Sequence, residues 1–330
     1  MVDHLDPGRT RMLIGSRAML ALLICTSAAD LSAQNPPPAA GEIRVTLLGT
    51  AAGPPARVDR AGISTLVEVG DERFLFDAGR GVMQRLVQSG RPMNAVSKLF
   101  LTHLHSDHIV DVPDLLLNGW SSPPWRRVPL EVWGPDGTRD MMAHLEQAFA
   151  FDIHVRRDVE EHASASGIQV IAQDIHEGTV YAKTGVTVTA FLVDHGPVKP
   201  AFGYRLNAGG RSVCLSGDTR PSTNLVQACR GVDVLIHEAI DEDVVRKNAP
   251  SQQLFEAIVG HHTTPEQAAD VFQRVRPRLA VFSHIQPSSA ILERTRRLYN
   301  GRVEEGQDLM VIDIGAEVVV RRSPRASAPR

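Results

Sequence analysis

Directly after an apolar stretch that reads as a buried strand, the run His103-Leu104-His105-Ser106-Asp107-His108 places three imidazoles and one carboxylate inside six residues. Imidazole nitrogen and carboxylate oxygen are the donors that borderline divalent metals such as zinc prefer, and a tight loop at a strand end aims neighbouring side chains at adjacent points. In an extended loop His103 and His105 project to one side while Asp107 and His108 turn to another, so the spacing predicts two metals rather than one. The competing reading is a polar surface loop with chance histidines.

Four more residues carry the same kind of signal: His195, Asp218, His262 and His284 each sit just after an apolar run or beside a Gly, Pro or Thr turn. There a side chain can leave the core and enter a shared cleft. Spacing alone does not show that positions so far apart meet. Asp77, at the end of Leu75-Phe76-Asp77-Ala78-Gly79, reads either as a buried carboxylate that holds the histidine loop or as a turn cap.

The elements that must position these residues alternate along the chain. Strands are predicted at Ile43–Gly49, over a hairpin 64–77 turning at Gly70-Asp71, and at 98–101, 130–134, 186–193, 201–206, 212–216 and 232–236. Helical spacing runs from Val82 to Ser89, over 112–120 and over 138–149, with glycines as stop signals. Residues 152–177 carry mixed charge and little periodicity. Strands ending in Asp or His, interleaved with helices, predict two mixed sheets face to face with helices outside. Each half of the chain is expected to supply one sheet, as an α/β four-layer αββα sandwich without a second domain.

These motifs resemble the metallo-β-lactamase-fold hydrolases, in particular the ribonuclease Z and arylsulfatase-like branch, over roughly residues 43–320. The histidine loop, Ser216-Gly217-Asp218-Thr219, Phe282-Ser283-His284, His262-Thr263-Thr264 and His237-Glu238-Ala239 carry the likeness. The resemblance implies one zinc held by His103, His105 and His195, a second held by Asp107, His108 and His284, and Asp218 bridging both. It also implies that His262 is a general acid or oxyanion stabiliser supported by Glu238, whereas His261 is expected to be exposed and silent. Two such ions would lower the pKa of a shared water from about 15.7 towards neutrality and so supply a hydroxide nucleophile. The carboxylate Asp107 belongs to this catalytic set. Di-iron redox relatives place Glu where this chain has His105, and many β-lactamases of the fold lack the bridging carboxylate, which disfavours both activities.

Composition sets outer bounds. The 330 residues are 43% hydrophobic, ample for a packed core, and the net charge of -3 argues against a dedicated nucleic-acid binder. Three cysteines, at 25, 214 and 229, define no disulfide framework. Residues 1–33 read as a secretory signal: arginines 9, 11 and 17, an apolar stretch from 18 to 25, then small residues. A Pro/Ala-rich linker over 34–42, a hydrolase domain over 43–321 and a disordered basic tail over 322–330 follow. The mature protein is thus expected to be periplasmic or secreted, with no membrane anchor, and able to form a homodimer.

The substrate follows from smaller signals. The protruding Gly- and Pro-rich basic arm by which ribonuclease Z grips tRNA has no counterpart between Gly134 and Thr187, and the pairs Arg126-Arg127 and Arg156-Arg157 read as a solvated face. The phrase from Val193 to Arg205 looks closest to the arylsulfatase-like members, with Lys199 and Arg220 as sources of positive charge. The expectation is therefore a small anionic ester, aryl sulfate first and phosphodiester next, with no nucleic-acid partner. A β-lactamase or lactonase and a non-enzymatic periplasmic metal-binding protein are the alternatives.

Overall fold

Runs rich in Val, Ile, Leu and Phe, which suit a pleated surface, form fifteen strands in the computed structural model, which describes residues 37–322 except 287 and 289. The expected signal segment, the first part of the linker and all but the first residue of the basic tail lie outside the described residues. No described helix is long and apolar enough to cross a membrane.

In chain order the strands are β1 (Ile43–Gly49), β2 (Ser64–Val69), β3 (Glu72–Phe76), β4 (Lys98–Phe100), β5 (Leu130–Gly134), β6 (Val170–Asp174), β7 (Gly178–Lys183) and β8 (Val186–Leu192). They continue with β9 (Phe202–Ala208), β10 (Arg211–Leu215), β11 (Val234–Ala239), β12 (Leu279–Ile285), β13 (Val303–Glu305), β14 (Met310–Ile314) and β15 (Val318–Arg321). One sheet has the order β15-β14-β1-β2-β3-β4-β5-β6 and the other β13-β12-β11-β10-β9-β8-β7. The halves of the chain therefore do not each own a sheet. The C-terminal hairpin returns to the first sheet, where β14 pairs with β1 from Ile43 opposite Ile314 to Leu47 opposite Met310. Both strands alternate residues aimed at the other sheet, so this register buries Ile43, Val45, Leu47, Met310, Ile312 and Ile314 together.

Period-two patterning builds four layers. One set of alternate residues, including Phe74, Phe76, Phe100, Tyr204 and Ile236, fills the space between the sheets. Here Phe100 and Trp133 stack with ring centroids 4.6 Å apart, a contact worth about 0.5–1.5 kcal/mol beyond its burial. On the outer face of the first sheet, Leu66, Leu75, Leu99 and Val132 pack beneath α1 (Val82–Gln88), α3 (Val112–Ser121) and α4 (Thr138–Ala148). Between the first two lies α2 (Ser106–Ile109), and α5 (Ala150–His154) follows α4. Outside the second sheet, Cys214, Leu235, Ala280 and Phe282 meet α6 (Thr223–Ala228), α9 (Pro265–Val275) and α10 (Ala290–Leu298). The short helices α7 (Glu242–Asn248) and α8 (Gln252–Val259) form a satellite cluster around Val245 and Phe255.

Three local expectations are corrected. Asp107 and His108 stand on the helical turn α2, not in an extended loop, with His105 as its N-cap. Arg126 is no part of a solvated face. It is buried, and its guanidinium donates to the carbonyls of Leu115, Leu116 and Gly167, replacing water one bond at a time. The featureless stretch contains a helix, a π-helical turn over Val155–Val159 and β6, with β7 just beyond. Cys214 and Cys229 form a disulfide between β10 and the end of α6.

The topology brings the candidate residues to one edge. Strands β3, β4 and β5 are parallel, as are β10, β11 and β12. Their carboxyl ends therefore open on the same side of each sheet, where Asp77, His103, Asp218, Glu238 and His284 lie.

Candidate metal centre

The seven residues expected to hold metal converge. His195 Nε2 lies 3.3 Å from His105 Nδ1, and His103 Nε2 and His195 Nε2 are each 3.9 Å from Asp218 Oδ2. On the other side, His284 Nε2 is 3.2 Å and His108 Nε2 3.7 Å from Asp107 Oδ2. Asp218 stands between the two sets, with Oδ2 3.4 Å from His108 Nε2 and Oδ1 3.3 Å from His284 Nδ1. Ligands about 2.0–2.2 Å from a common tetrahedral ion are about 3.3–3.5 Å apart, and most of these separations fall near that range.

Three of the five imidazoles are held from behind. The Asp77 carboxylate accepts from the Thr102 amide at 2.8 Å and from His108 Nδ1 at 2.8 Å, so it fastens the histidine segment to the end of β3. His195 Nδ1 donates to the His261 carbonyl at 3.0 Å, and Thr102 Oγ1 lies 3.1 Å from His103 Nδ1. With their Nδ1 atoms engaged, His103, His108 and His195 present Nε2 to the centre, the arrangement that fixes metal-binding imidazoles. Gly217 leads into Asp218 with φ +59°, and a Cβ there would sit 2.6 Å from the Phe202 carbonyl, so only glycine fits the turn. Asp77 and His284 hold left-handed backbones without being glycine, with φ of 59° and 52°.

The site fits a cation. His103 Nε2, His108 Nε2, His284 Nδ1 and Asp218 Oδ1 are buried and have no hydrogen-bond partner. Leaving such an atom unpaired costs about 1–3 kcal/mol, and four of them face one small volume. Among the described residues no Lys or Arg forms an ion pair with Asp107 or Asp218. Nitrogen and oxygen donors in the groups His103/His105/His195, Asp107/His108/His284 and His103/His108/Asp218 can hold metal ions.

Electrostatics follow the same division. Burial lowers His103, and pulls His195 down to about 4, so both imidazoles are neutral and ready to donate. Burial opposes charge on His108 too, but the carboxylates of Asp218 and Asp77 outweigh it and raise that histidine. Asp218 is lowered against burial by His284 and His108, and Asp107 by its hydrogen bond from His284 and by the same two charges.

His262 stands at the rim. Its ring lies 5.0 Å from that of His195 and 5.8 Å from that of His284. Its Nδ1 donates to Glu238 Oε1, which also accepts the amides of Thr219 and Thr263. The rest of the motif is helix capping: Thr264 caps α9 in a capping box with Gln267, and Pro265 starts the helix, which fixes His262 two residues upstream. His261 is half-buried rather than exposed, its ring 4.8 Å from both His195 and His262. Arg220 is paired with Asp194 at 2.7 Å, which removes it as a free charge.

Residues 72–285 match the family described as Beta-lactamase superfamily domain. A ribonuclease Z of Mycobacterium sp. (strain KMS) is 37% identical over 287 residues, covering 84% of this chain and 99% of its own. The chain belongs to the metallo-β-lactamase superfamily. Among solved members of that fold, YhfI from Bacillus subtilis superposes with a TM-score of 0.64 at 18% identity, covering 82% of this chain and 99% of its own. The short form of human tRNase Z gives 0.61 at 24% identity, covering 82% and 99%.

The ribonuclease Z relatives overturn the expectation of a small anionic ester with no nucleic-acid partner, and they lend no support to aryl sulfate. That expectation rests on the net charge, on the absence of a basic arm and on arginine pairs read as a solvated face, and none of these reports the potential at the site. A total of -3 averages over the whole surface, whereas a polyanion responds to local potential. The cleft beside Asp107 is lined by Arg57, Arg60, Arg80 and Arg85, none of which sequence reasoning had singled out.

Proposed function

We propose that this protein is a zinc-dependent phosphodiesterase that hydrolyses RNA in the manner of ribonuclease Z. The observation that carries the reading is the convergence of His103, His105, His195, Asp107, His108 and His284 around Asp218, with four buried donor atoms left unpaired. His103, His105 and His195 would hold one zinc, Asp107, His108 and His284 a second, and Asp218 both. Histidine-rich donor sets with oxygen ligands favour zinc. When bound, the pair supplies Lewis acidity that activates water and offsets charge on the phosphoryl oxygens.

The chain's own groups do the rest. His262, held by Glu238, faces the centre as an imidazolium and gives its Nε2 proton to the departing 3′ oxygen. Glu238 keeps the ring oriented and its charge stabilised. Asp77 and the His261 carbonyl keep the ligand imidazoles in register, so little reorganisation accompanies reaction. Water adds to phosphorus as the 3′ oxygen leaves, yielding a 3′-hydroxyl and a 5′-phosphate. The 2′-hydroxyl takes no part. The Cys214–Cys229 disulfide supports an oxidising compartment, consistent with export.

The test is cleavage of an end-labelled RNA by the zinc-loaded protein, with a strand carrying a single 2′-deoxy substitution at the cleaved position. The reading expects cleavage of both strands with 5′-phosphate ends. A 2′,3′-cyclic phosphate product, or no cleavage of RNA by the loaded protein, overturns it.

A further inference from the structure

A cleft of about 310 Å³ opens beside Asp107, between the loop that follows β1 and the first turns of α1. It shares Asp107 with the candidate metal centre, and Asp107 accepts a hydrogen bond from the amide of Gly53 in the same wall at 3.1 Å. Glycine makes the junction possible: a Cβ on Gly79 would stand 2.5 Å from the Asp107 carbonyl oxygen and 2.7 Å from the backbone of Gly62. The turn carrying Arg80, the β1 loop and the metal-binding turn are thus pressed together.

Four guanidinium groups line this cleft, and Asp107 is its one carboxylate. They are not equivalent. Arg60 is fixed by Glu305 at 2.7 Å and by Thr50 and the Gly306 carbonyl, and Arg85 by Asp308 at 3.0 Å. Arg57 pairs only with Asp59 of its own loop, at 2.7 Å. Arg80 is exposed, and although its carbonyl accepts the Gly62 amide at 2.8 Å, its guanidinium makes no hydrogen bond or ion pair among the described residues and acts only at a distance on Asp111. Two arginines are therefore anchored as walls and Arg57 is paired within its own loop, which leaves the Arg80 guanidinium available to a ligand.

Resting on the RNA reading above, we propose that this cleft is the subsite for the backbone phosphate neighbouring the scissile one, with Arg80 as its principal contact and Arg57 exchanging Asp59 for the phosphate. Guanidinium matches phosphate oxygens in a bidentate fork, and a cavity near 300 Å³ suits a ligand about the size of one nucleotide. The neighbouring phosphate of a strand held at the metal centre must lie within one nucleotide of it, and this cleft is joined to that centre through Asp107.

The test compares zinc-loaded wild type with Arg80→Ala and Arg80→Glu on an RNA oligonucleotide and on bis(p-nitrophenyl) phosphate, a diester with no neighbouring phosphate. Loss of one phosphate contact should raise KM for RNA about tenfold in Arg80→Ala, and more in Arg80→Glu, and should lower the slope of log(kcat/KM) against log salt by about one, with kcat nearly unchanged. The small diester should be affected far less. Unchanged KM and salt slope in both variants, with wild type cleaving RNA, overturn the subsite alone. Equal losses on both substrates also overturn it, because Arg80 would then act on the reaction centre. A wild type that hydrolyses the small diester but not RNA overturns the functional reading, and the subsite with it.

Discussion

His262 Nδ1 and Glu238 Oε1 are 3.0 Å apart, and the carboxylate that accepts this hydrogen bond is itself buried and held by two backbone amides. Burial works against a charged His262, but the charge and hydrogen bond of Glu238, with Asp218 behind, push it up to about 9. In the metal-free protein this keeps the imidazole protonated at neutral pH. Replacing His262 by Ala should lower kcat about 10²–10⁴-fold with zinc content unchanged, as removal of a general acid does. Steady-state kinetics and elemental analysis of the same preparation check it. Full activity would remove His262 from the mechanism.

The pH dependence has a definite sign. Because the proton on His262 is required, kcat should fall as pH rises through its pKa, at or below about 9 once cations occupy the neighbouring donors. Glu238→Gln removes the group that raises it, so the alkaline limb should move to lower pH. In the metal-free protein the same shift is a stability term: full below the unfolded value of 6.5, and lost as pH rises through about 9. Denaturant midpoints of metal-free wild type and Glu238→Gln should converge above that pH.

Asp218 serves both donor sets, so Asp218→Ala should lose at least one zinc and nearly all turnover while retaining its secondary structure. Elemental analysis and circular dichroism measure both. Wild-type zinc content in this variant would refute the bridging role.

Asp77 belongs to none of the donor groups among the described residues, yet it orients His108 and Thr102. Removing such a partner typically weakens metal affinity about 10–100-fold. Competition with a chromogenic chelator should show that loss in Asp77→Ala, whereas an unchanged affinity would reduce Asp77 to a turn residue.

The disulfide closes a loop with a sequence separation of 15 residues between two buried positions. Reduction should cost about 2–4 kcal/mol. Thermal melts with and without reductant, and of Cys214→Ser/Cys229→Ser, test this directly.

Much of this is legible in the sequence. Short apolar runs rich in Val, Leu and Phe and bounded by turn formers locate β1, β2, β3 and β9, which are buried along most of their length, and the histidine motif is visible because its donors are neighbours in sequence. What sequence could not supply is long-range closure. Nothing local tells that β14 returns to β1, or that His195 and His284 meet the 103–108 segment. The arginine cleft was missed for the same reason: Arg57 and Arg80 belong to separate turns joined only by the close approach of Gly62 and Gly79. Buried Arg126 looked like surface charge because its partners are backbone carbonyls, which leave no signature in side-chain chemistry. His261 looked silent because its half-burial against His195 depends on a tertiary contact.

The most direct measurement is anomalous scattering at the zinc edge from crystals of the zinc-loaded protein. The account predicts two peaks, one among His103, His105 and His195 and one among Asp107, His108 and His284, both within bonding distance of Asp218. A single peak, or peaks away from Asp218, would contradict it.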